Sequence, residues 1–190
     1  MNGERKNLQA EIARCTLCVT QFPRLRVNCP PGTIYPNNVQ PPQHVRILFV
    51  GVAPPKRGRH FYADAGDNLR LGLFSVLTAL GLQCRDLQDF LGHGFFLVHT
   101  AKCAIAGTTE PHLPVSLYCS SHHLRREIEQ LQPDAVCWLS KIVAYKVCLA
   151  LRNEWENKKE IPFGEVTEVG INGKNVLFLP TTWPGRGWQR

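Results

Sequence analysis

Long apolar runs are missing from this sequence. Although 44% of the residues are hydrophobic, none of the apolar stretches approaches the roughly 20 residues that a membrane span requires. The first residues are charged and amphipathic, and they lack the basic patch and apolar segment of a secretory leader. We therefore expect a single domain over residues 1–190 that is monomeric, cytoplasmic and free of membrane contact.

Acidic residues are also in short supply. The chain has 22 Lys plus Arg against 15 Asp plus Glu, which gives a formal net charge of +7. Such an excess of positive charge favours polyanionic partners such as nucleic acid, although composition alone is weak support. Neither the dinucleotide-binding glycine motif nor the P-loop motif occurs, so a nucleotide cofactor has no local support.

Short apolar runs that alternate with helical patterns are what the sequence does contain. Buried strands are predicted at 45–51, 95–99, 134–140 and, as a pair joined at Asn172-Gly173, within 166–180. Helices are predicted at 7–14, 67–81, 120–133 and 141–155. This order predicts an α/β fold, a three-layer α/β/α sandwich with a central, mostly parallel sheet of about four strands. Ligands of such sheets bind beyond the carboxyl ends of the strands, here after Val50, Val98 and Leu179.

The predicted helix at 67–81 has clear signals at both ends. Asp67 is a plausible amino-terminal cap and Gly81 a plausible stop. Its apolar face is predicted to consist of Leu69, Leu73, Leu77 and Leu80. The helix at 120–133 is predicted to open with capping serines and to end at Pro133.

Because disulfides are rare in a reducing compartment, the eight cysteines are expected to be buried small hydrophobes or metal ligands rather than a disulfide framework. Cys15 and Cys18 form a close pair, and Cys103 and Cys119 lie at either end of a segment rich in Thr, Pro and Gly. Four soft sulfur ligands suit either zinc or an iron-sulfur cluster, and both alternatives stay open at this point. The other four, Cys29, Cys84, Cys137 and Cys148, have no predicted ligand role, and the last two lie on apolar faces typical of a core.

Several motifs follow one another in a recognisable order: "CTLC", "ILFVGVAPP", "GRHFYADAG", "AKC", "LRREIEQLQPDAVCWLS" and "VLFLPTTWPGR". This order resembles the uracil-DNA glycosylase superfamily, and in particular its iron-sulfur-bearing branch, often called family 4. The resemblance implies a DNA partner. It also implies a structural 4Fe-4S cluster, with zinc as the lesser alternative, held by Cys15, Cys18, Cys103 and Cys119.

The resemblance further implies a pocket for a base that is turned out of the DNA stack. Its predicted lining is Gly51, Val52, Ala53, Pro54, Phe61, His99 and Trp183. Phe61 would stack on the base, but it is also expected as a core residue that anchors the loop. The residues predicted to contact DNA are Lys56, Arg57, Arg59, Pro184 and Arg186. The alternatives without a DNA contact are a solvated basic loop for Lys56, Arg57 and Arg59, and a place in the core for Trp183.

Three positions depart from the pattern of the family. Val52 stands where the iron-sulfur branch usually has Glu, His99 where the family has an Asn that reads uracil, and Trp183 where it has His before proline. Because His99 and Trp183 fall in the predicted pocket, the resemblance leaves the identity of the base open.

Asp64 falls where a related branch, often called family 5, carries an acidic residue implicated in catalysis. Asp64 and His99 are therefore the predicted catalytic residues; the alternatives are a surface or capping Asp and a core His. Our first hypothesis is a monofunctional DNA glycosylase that removes uracil or another deaminated base in base excision repair. The second is a catalytically impaired protein of the same fold that binds DNA lesions. A small-molecule hydrolase comes last, because the sequence has no nucleophile-elbow motif.

Overall fold

A five-stranded sheet forms the centre of the molecule. The structure is a computed structural model that describes residues 2–28, 39–55, 60–105, 109–158 and 160–182. The described residues form seven strands, of which five belong to this sheet: β1 Val27–Asn28, β2 Ile47–Gly51, β3 Phe95–His99, β4 Ala104–Ile105, β5 Ala135–Leu139, β6 Thr167–Ile171 and β7 Lys174–Thr181. The helices are α1 Asn2–Ala13, α2 Leu17–Gln21, α3 Asn68–Ala79, α4 Leu87–Gly92, α5 Thr109–Cys119, α6 Arg125–Leu131 and α7 Val143–Glu156. None of these described helices is long and apolar enough to cross a membrane.

The sheet has the order β3-β2-β5-β7-β6. Strands β3, β2, β5 and β7 are parallel, and β6 pairs antiparallel with β7 at one edge. Asn172 and Gly173 join β6 to β7 with φ angles of 49° and 80°, which fits the expected tight turn. The predicted mostly parallel sheet and α/β class are therefore confirmed, with an antiparallel edge strand beside four parallel ones.

Side chains alternate between two cores along the parallel strands. Leu48 and Val50 of β2 pack into one core with residues of α6 and α7, whereas Phe49 packs into the other with residues of α3 and α4. Because successive side chains of a strand point to opposite faces, both faces of the sheet are covered by helices. This arrangement gives the predicted three layers.

Helix α3 confirms its predicted cap and corrects its predicted face. The Asp67 carboxylate accepts a hydrogen bond from the Arg70 amide at 2.9 Å, and Gly81 has the positive φ of 85° that favours glycine after a helix. Leu80, however, is 73% exposed. Since α3 ends at Ala79, Leu80 leaves the helical register and does not share the buried face.

The predicted capping serines at 120 and 121 are a second correction. Helix α5 continues into a π-helical segment, Ser120–Leu124, which leads directly into α6, so no new helix starts at the serines. The Ser120 hydroxyl instead donates to the Thr100 carbonyl at 3.0 Å. The predicted end is confirmed, because Gln132 adopts a left-handed conformation with φ of 45° just before Pro133.

A small second sheet ties the amino-terminal region to the segment after β3. Strand β1 pairs antiparallel with β4, so that Val27 lies opposite Ile105 and Asn28 opposite Ala104. This pairing brings the short helix α2 close to the carboxyl end of β3.

Candidate functional site

The carboxyl ends of β2 and β3 continue side by side beyond the sheet. The Thr100 amide donates to the Gly51 carbonyl at 2.8 Å, and the Ala101 amide donates to the Val52 carbonyl at 2.9 Å. The Thr100 hydroxyl donates to the same Val52 carbonyl at 2.6 Å. These bonds fix the backbone at the edge where parallel sheets bind ligands. Val52 and Ala53 are half-buried there, and Pro54 is buried.

His99 lies directly against the backbone of Gly51. A Cβ atom at position 51 would be only 3.0 Å from Cδ2 of the imidazole, so glycine leaves the space that the ring occupies. Burial lowers the pKa of His99 to about 3, and the charges of Lys102 and His60 act in the same direction. His99 is therefore a neutral imidazole near pH 7, with one hydrogen-bond donor and one acceptor.

Asp64 lies in the loop between β2 and α3, where its side chain makes a local hydrogen bond and stays partly exposed to solvent. Its carboxylate accepts a hydrogen bond from the Gly66 amide at 2.8 Å, and its side chain is only half-buried. The neighbouring Asp67 is 8% exposed, and burial raises its pKa against the opposing hydrogen bonds from the amides of α3. The predicted carboxylate is thus held in place with access to solvent.

His60 is a residue that sequence reasoning left without a role. Its charge interacts with those of Asp67 and His99, which places all three at the same edge of the sheet. Its Nδ1 atom is buried and has no hydrogen-bond partner among the described residues. The signal in the sequence was its position next to Phe61, in the segment that the family resemblance picks out.

Phe61 is part of a buried aromatic group. Its ring is 4% exposed and makes edge contacts with Tyr62, Phe90 and Phe74, at centroid distances of 5.0, 5.3 and 6.1 Å. The Tyr62 hydroxyl accepts from the Leu97 amide at 2.7 Å and donates to the Leu97 carbonyl at 3.0 Å. The two aromatic residues therefore anchor the loop to β3, as the core interpretation expects, and stacking of Phe61 on a base stays a prediction.

A buried ion pair underlies the end of β3, and sequence reasoning missed it. The Lys102 ammonium donates to the His99 carbonyl at 2.6 Å and pairs with the Glu127 carboxylate of α6. Their side chains are only 1% and 7% exposed. Burial lowers the pKa of Lys102 to about 7 and raises that of Glu127. Because the paired Lys102 ammonium also donates to the His99 carbonyl, the ion pair fixes the His99 backbone. Removing either partner would leave a buried charge unpaired.

Three of the four predicted cysteine ligands meet close to this ion pair. Cys18 hydrogen bonds to Cys119, and the charges of Cys15 and Cys119 interact. The Nε2 atom of His123 lies 3.2 Å from the Cys15 sulfur. We call the group of Cys15, Cys18, Cys119 and His123 the cysteine cluster.

Cys103 is buried next to Lys102, whose amide donates to the Cys119 sulfur at 3.3 Å. The donor set fits a thiophilic metal in kind and number. In the part of the chain that the structure describes, however, no three or more His, Cys, Asp or Glu side chains are arranged to hold a metal ion. The cysteine ligands therefore stay a prediction.

The remaining predicted residues divide into two groups. Cys148 is fully buried in the larger core and Cys84 in the smaller one, and Cys137 is half-buried against the smaller core. The others lie outside the described residues, so their predicted places are not tested: Cys29, Lys56, Arg57, Arg59, Trp183, Pro184 and Arg186.

The fold and the edge site together define an α/β/α protein with polar side chains gathered at the carboxyl ends of its parallel strands. Residues 38–184 match the Uracil DNA glycosylase superfamily, so the chain belongs to this superfamily. No curated protein matches the chain at a significant level. Membership of the superfamily implies DNA as the substrate.

Proposed function

We propose that the protein is a monofunctional DNA glycosylase. It hydrolyses the N-glycosidic bond of uracil or another deaminated base, the first step of base excision repair. The observation that carries this proposal is that His60 links the two predicted catalytic residues, in a chain that belongs to the superfamily. Its carbonyl accepts from the Asp64 amide, and its charge acts on the pKa of His99 at the carboxyl end of β3. A glycosylase must turn its base out of the stack, and a preformed polar edge beside backbone amides is what such a base would meet.

The two predicted catalytic residues have different tasks. Neutral His99 contacts the edge of the base through one donor and one acceptor. Asp64, oriented by the Gly66 amide, positions the attacking water and stabilises positive charge on the sugar, as carboxylates do in glycoside hydrolysis. Water then adds to C1′ on the face opposite the departing base.

The walls of the pocket and the DNA contacts follow the sequence predictions. The backbone of Gly51, Val52, Ala53 and Pro54 borders the base. Phe61 is the proposed stacking residue, and Trp183 is a further proposed residue of the pocket. Lys56, Arg57, Arg59 and Arg186 neutralise phosphates, and Pro184 wedges into the minor groove.

We further propose that Cys15, Cys18, Cys103 and Cys119 hold a structural 4Fe-4S cluster, with zinc as the alternative. Support comes from the contacts of Cys119 with Cys18 and with the Lys102 amide, which bring together three segments that carry these cysteines. When bound, the group braces these segments and takes no part in hydrolysis.

Metal analysis tests the cysteine proposal. Iron and acid-labile sulfide in the purified protein, with absorption near about 400 nm, are expected to disappear in Cys119→Ser. The matched control is Cys84→Ala, a buried cysteine of the opposite core, which should keep the metal. Stoichiometric zinc without iron would select the alternative, and a metal-free protein would overturn both.

Strand cleavage tests the glycosylase proposal. Oligonucleotides that each contain one uracil, hypoxanthine or xanthine are incubated with protein and then treated with alkali. We expect scission at one or more of these bases, reduced about 100-fold or more in Asp64→Asn. Asp134→Asn, an exposed carboxylate at the opposite edge of the sheet, is the control and should retain activity.

One observation favours the second candidate function, a protein that binds lesions without cleaving them. Val52 places an apolar side chain at the strand end, where it can neither orient water nor accept a hydrogen bond. Salt-sensitive binding to damaged DNA without scission of any substrate would support this function and contradict the first.

A further inference from the structure

His60 has a fixed position at the carboxyl edge. Its carbonyl accepts hydrogen bonds from the Ala63 and Asp64 amides at 3.0 and 2.9 Å, which close a turn. The next two residues, Phe61 and Tyr62, anchor this turn to the aromatic core and to β3. The imidazole therefore belongs to a rigid part of the loop, as a group that acts on a substrate requires.

The His60 ring has an unused polar atom. Its Nδ1 is buried without a hydrogen-bond partner among the described residues. Most buried polar atoms of native proteins have a hydrogen-bond partner, so an unpaired one calls for an explanation, and a ligand that supplies the partner is one. A base that enters the edge pocket beside His99 would supply that partner.

The two imidazoles of the edge have different electrostatic surroundings. His99 is kept neutral by burial, by Lys102 and by His60. His60 instead faces the carboxylate of Asp67, whose charged form it favours.

We propose that His60 is a catalytic residue that assists departure of the base, with Nδ1–H as the donor. As the bond between C1′ and the base nitrogen breaks, its electron pair goes to the base. His60 donates its proton to the base, and water adds to C1′ while its proton passes to Asp64. The products are the free neutral base and an abasic sugar. The proton that Asp64 has taken returns to His60 through solvent, so no other reactant is required. This inference rests on the proposed glycosylase function.

The dependence of the rate on the leaving group tests this role. Single-turnover rates are measured on oligonucleotides with uracil or 5-fluorouracil, and with hypoxanthine or xanthine. In each pair the second base is the more acidic and needs less help to depart. We expect His60→Gln to lose about 100-fold on the less acidic base of a pair and clearly less on the more acidic one.

Control variants distinguish a failure of the role of His60 from a failure of the glycosylase proposal. His44→Gln removes an exposed imidazole at the opposite edge and should leave all rates unchanged. Circular dichroism and the thermal midpoint show whether His60→Gln folds, and His60→Asn, whose amide nitrogen takes the place of Nδ1, should recover part of the rate that His60→Gln loses. Equal losses on both bases of a pair, or none, would overturn the role of His60 while the glycosylase stands. A wild-type protein that cleaves none of the four substrates would overturn the glycosylase proposal and this inference with it.

Discussion

The two ends of the parallel strands differ in whether their polar side chains are hydrogen bonded to one another. We call them the amino edge and the carboxyl edge, after the ends of the strands that lie there. At the amino edge, Asp134 accepts from His44 at 2.7 Å and from Lys174 at 2.9 Å, and Lys174 also donates to the Gln132 carbonyl. At the carboxyl edge, Nδ1 of His60 has no described partner and the His99 ring packs against bare backbone. Polar groups that satisfy one another hold the surface together, whereas groups left unsatisfied are available to a ligand.

Among the changes that test this comparison, the largest effect is expected from the loss of His99. Replacing it with Ala removes the neutral donor and acceptor that face the base, and we expect cleavage of the best substrate to fall about 100-fold. The rate constant under single-turnover conditions is the measurement, with the thermal midpoint as the check on folding. Full activity in His99→Ala would contradict the difference between the two edges.

Acid should destabilise the protein through the same residue. The pKa of His99 is about 3 in the folded protein, whereas it is about 6.5 in an unfolded chain. Between these values the unfolded chain binds a proton that the folded one excludes, so stability is lost as the pH falls, by up to about 1.4 kcal/mol per pH unit. The charged groups that face the ring are Lys102 and His60.

Urea unfolding at a series of pH values measures this loss. His99→Asn should flatten the dependence of the unfolding free energy on pH. His44→Asn, which removes an exposed histidine at the amino edge, should leave most of it in place. An unchanged slope in His99→Asn would mean that His99 is not the residue responsible.

A smaller effect is expected from Gly51→Ala. The added methyl group would lie 3.0 Å from Cδ2 of His99, so the imidazole must move by a few tenths of an ångström. A shift of this size should reduce kcat/KM by about 10-fold or less. The control is Gly92→Ala, where an added Cβ meets no atom within 4 Å. Equal activity in both variants would show that the contact does not position the ring.

The smallest effect is expected at the amino edge. Asp134→Asn weakens two partly exposed ion pairs, which should lower the free energy of unfolding by less than about 1 kcal/mol. Urea unfolding at two salt concentrations measures this change, and cleavage should remain at the wild-type rate. A loss of cleavage without a loss of stability would show that the amino edge also serves the reaction.

Local patterns explain which parts of the fold could be predicted. The apolar runs of β2 and β3 are buried on both faces, and Asp67 and Asn172-Gly173 act within a few residues of their own position, so the sequence displays them directly. The π-helical segment and the exposure of Leu80 depend on how the ends of helices meet the rest of the chain.

The site was harder to predict, because its contacts join distant residues. Lys102 pairs with Glu127 across 25 positions, and His123 reaches Cys15 across 108. No local pattern marks such pairs. Asp64 and His99 were identified only through the motifs of the family resemblance. His60 lies in the same motif as Asp64, but the resemblance assigned it no role, so it was not identified.

The segment from His99 to Cys103 contacts both the carboxyl edge and the cysteine cluster. The Lys102 ammonium donates to the His99 carbonyl, and the Lys102 amide donates to the Cys119 sulfur. The Ser120 hydroxyl donates to the Thr100 carbonyl. A change in the cysteine cluster is therefore expected to move the His99 backbone as well. Grafting the site onto another scaffold would require both regions to be transferred together.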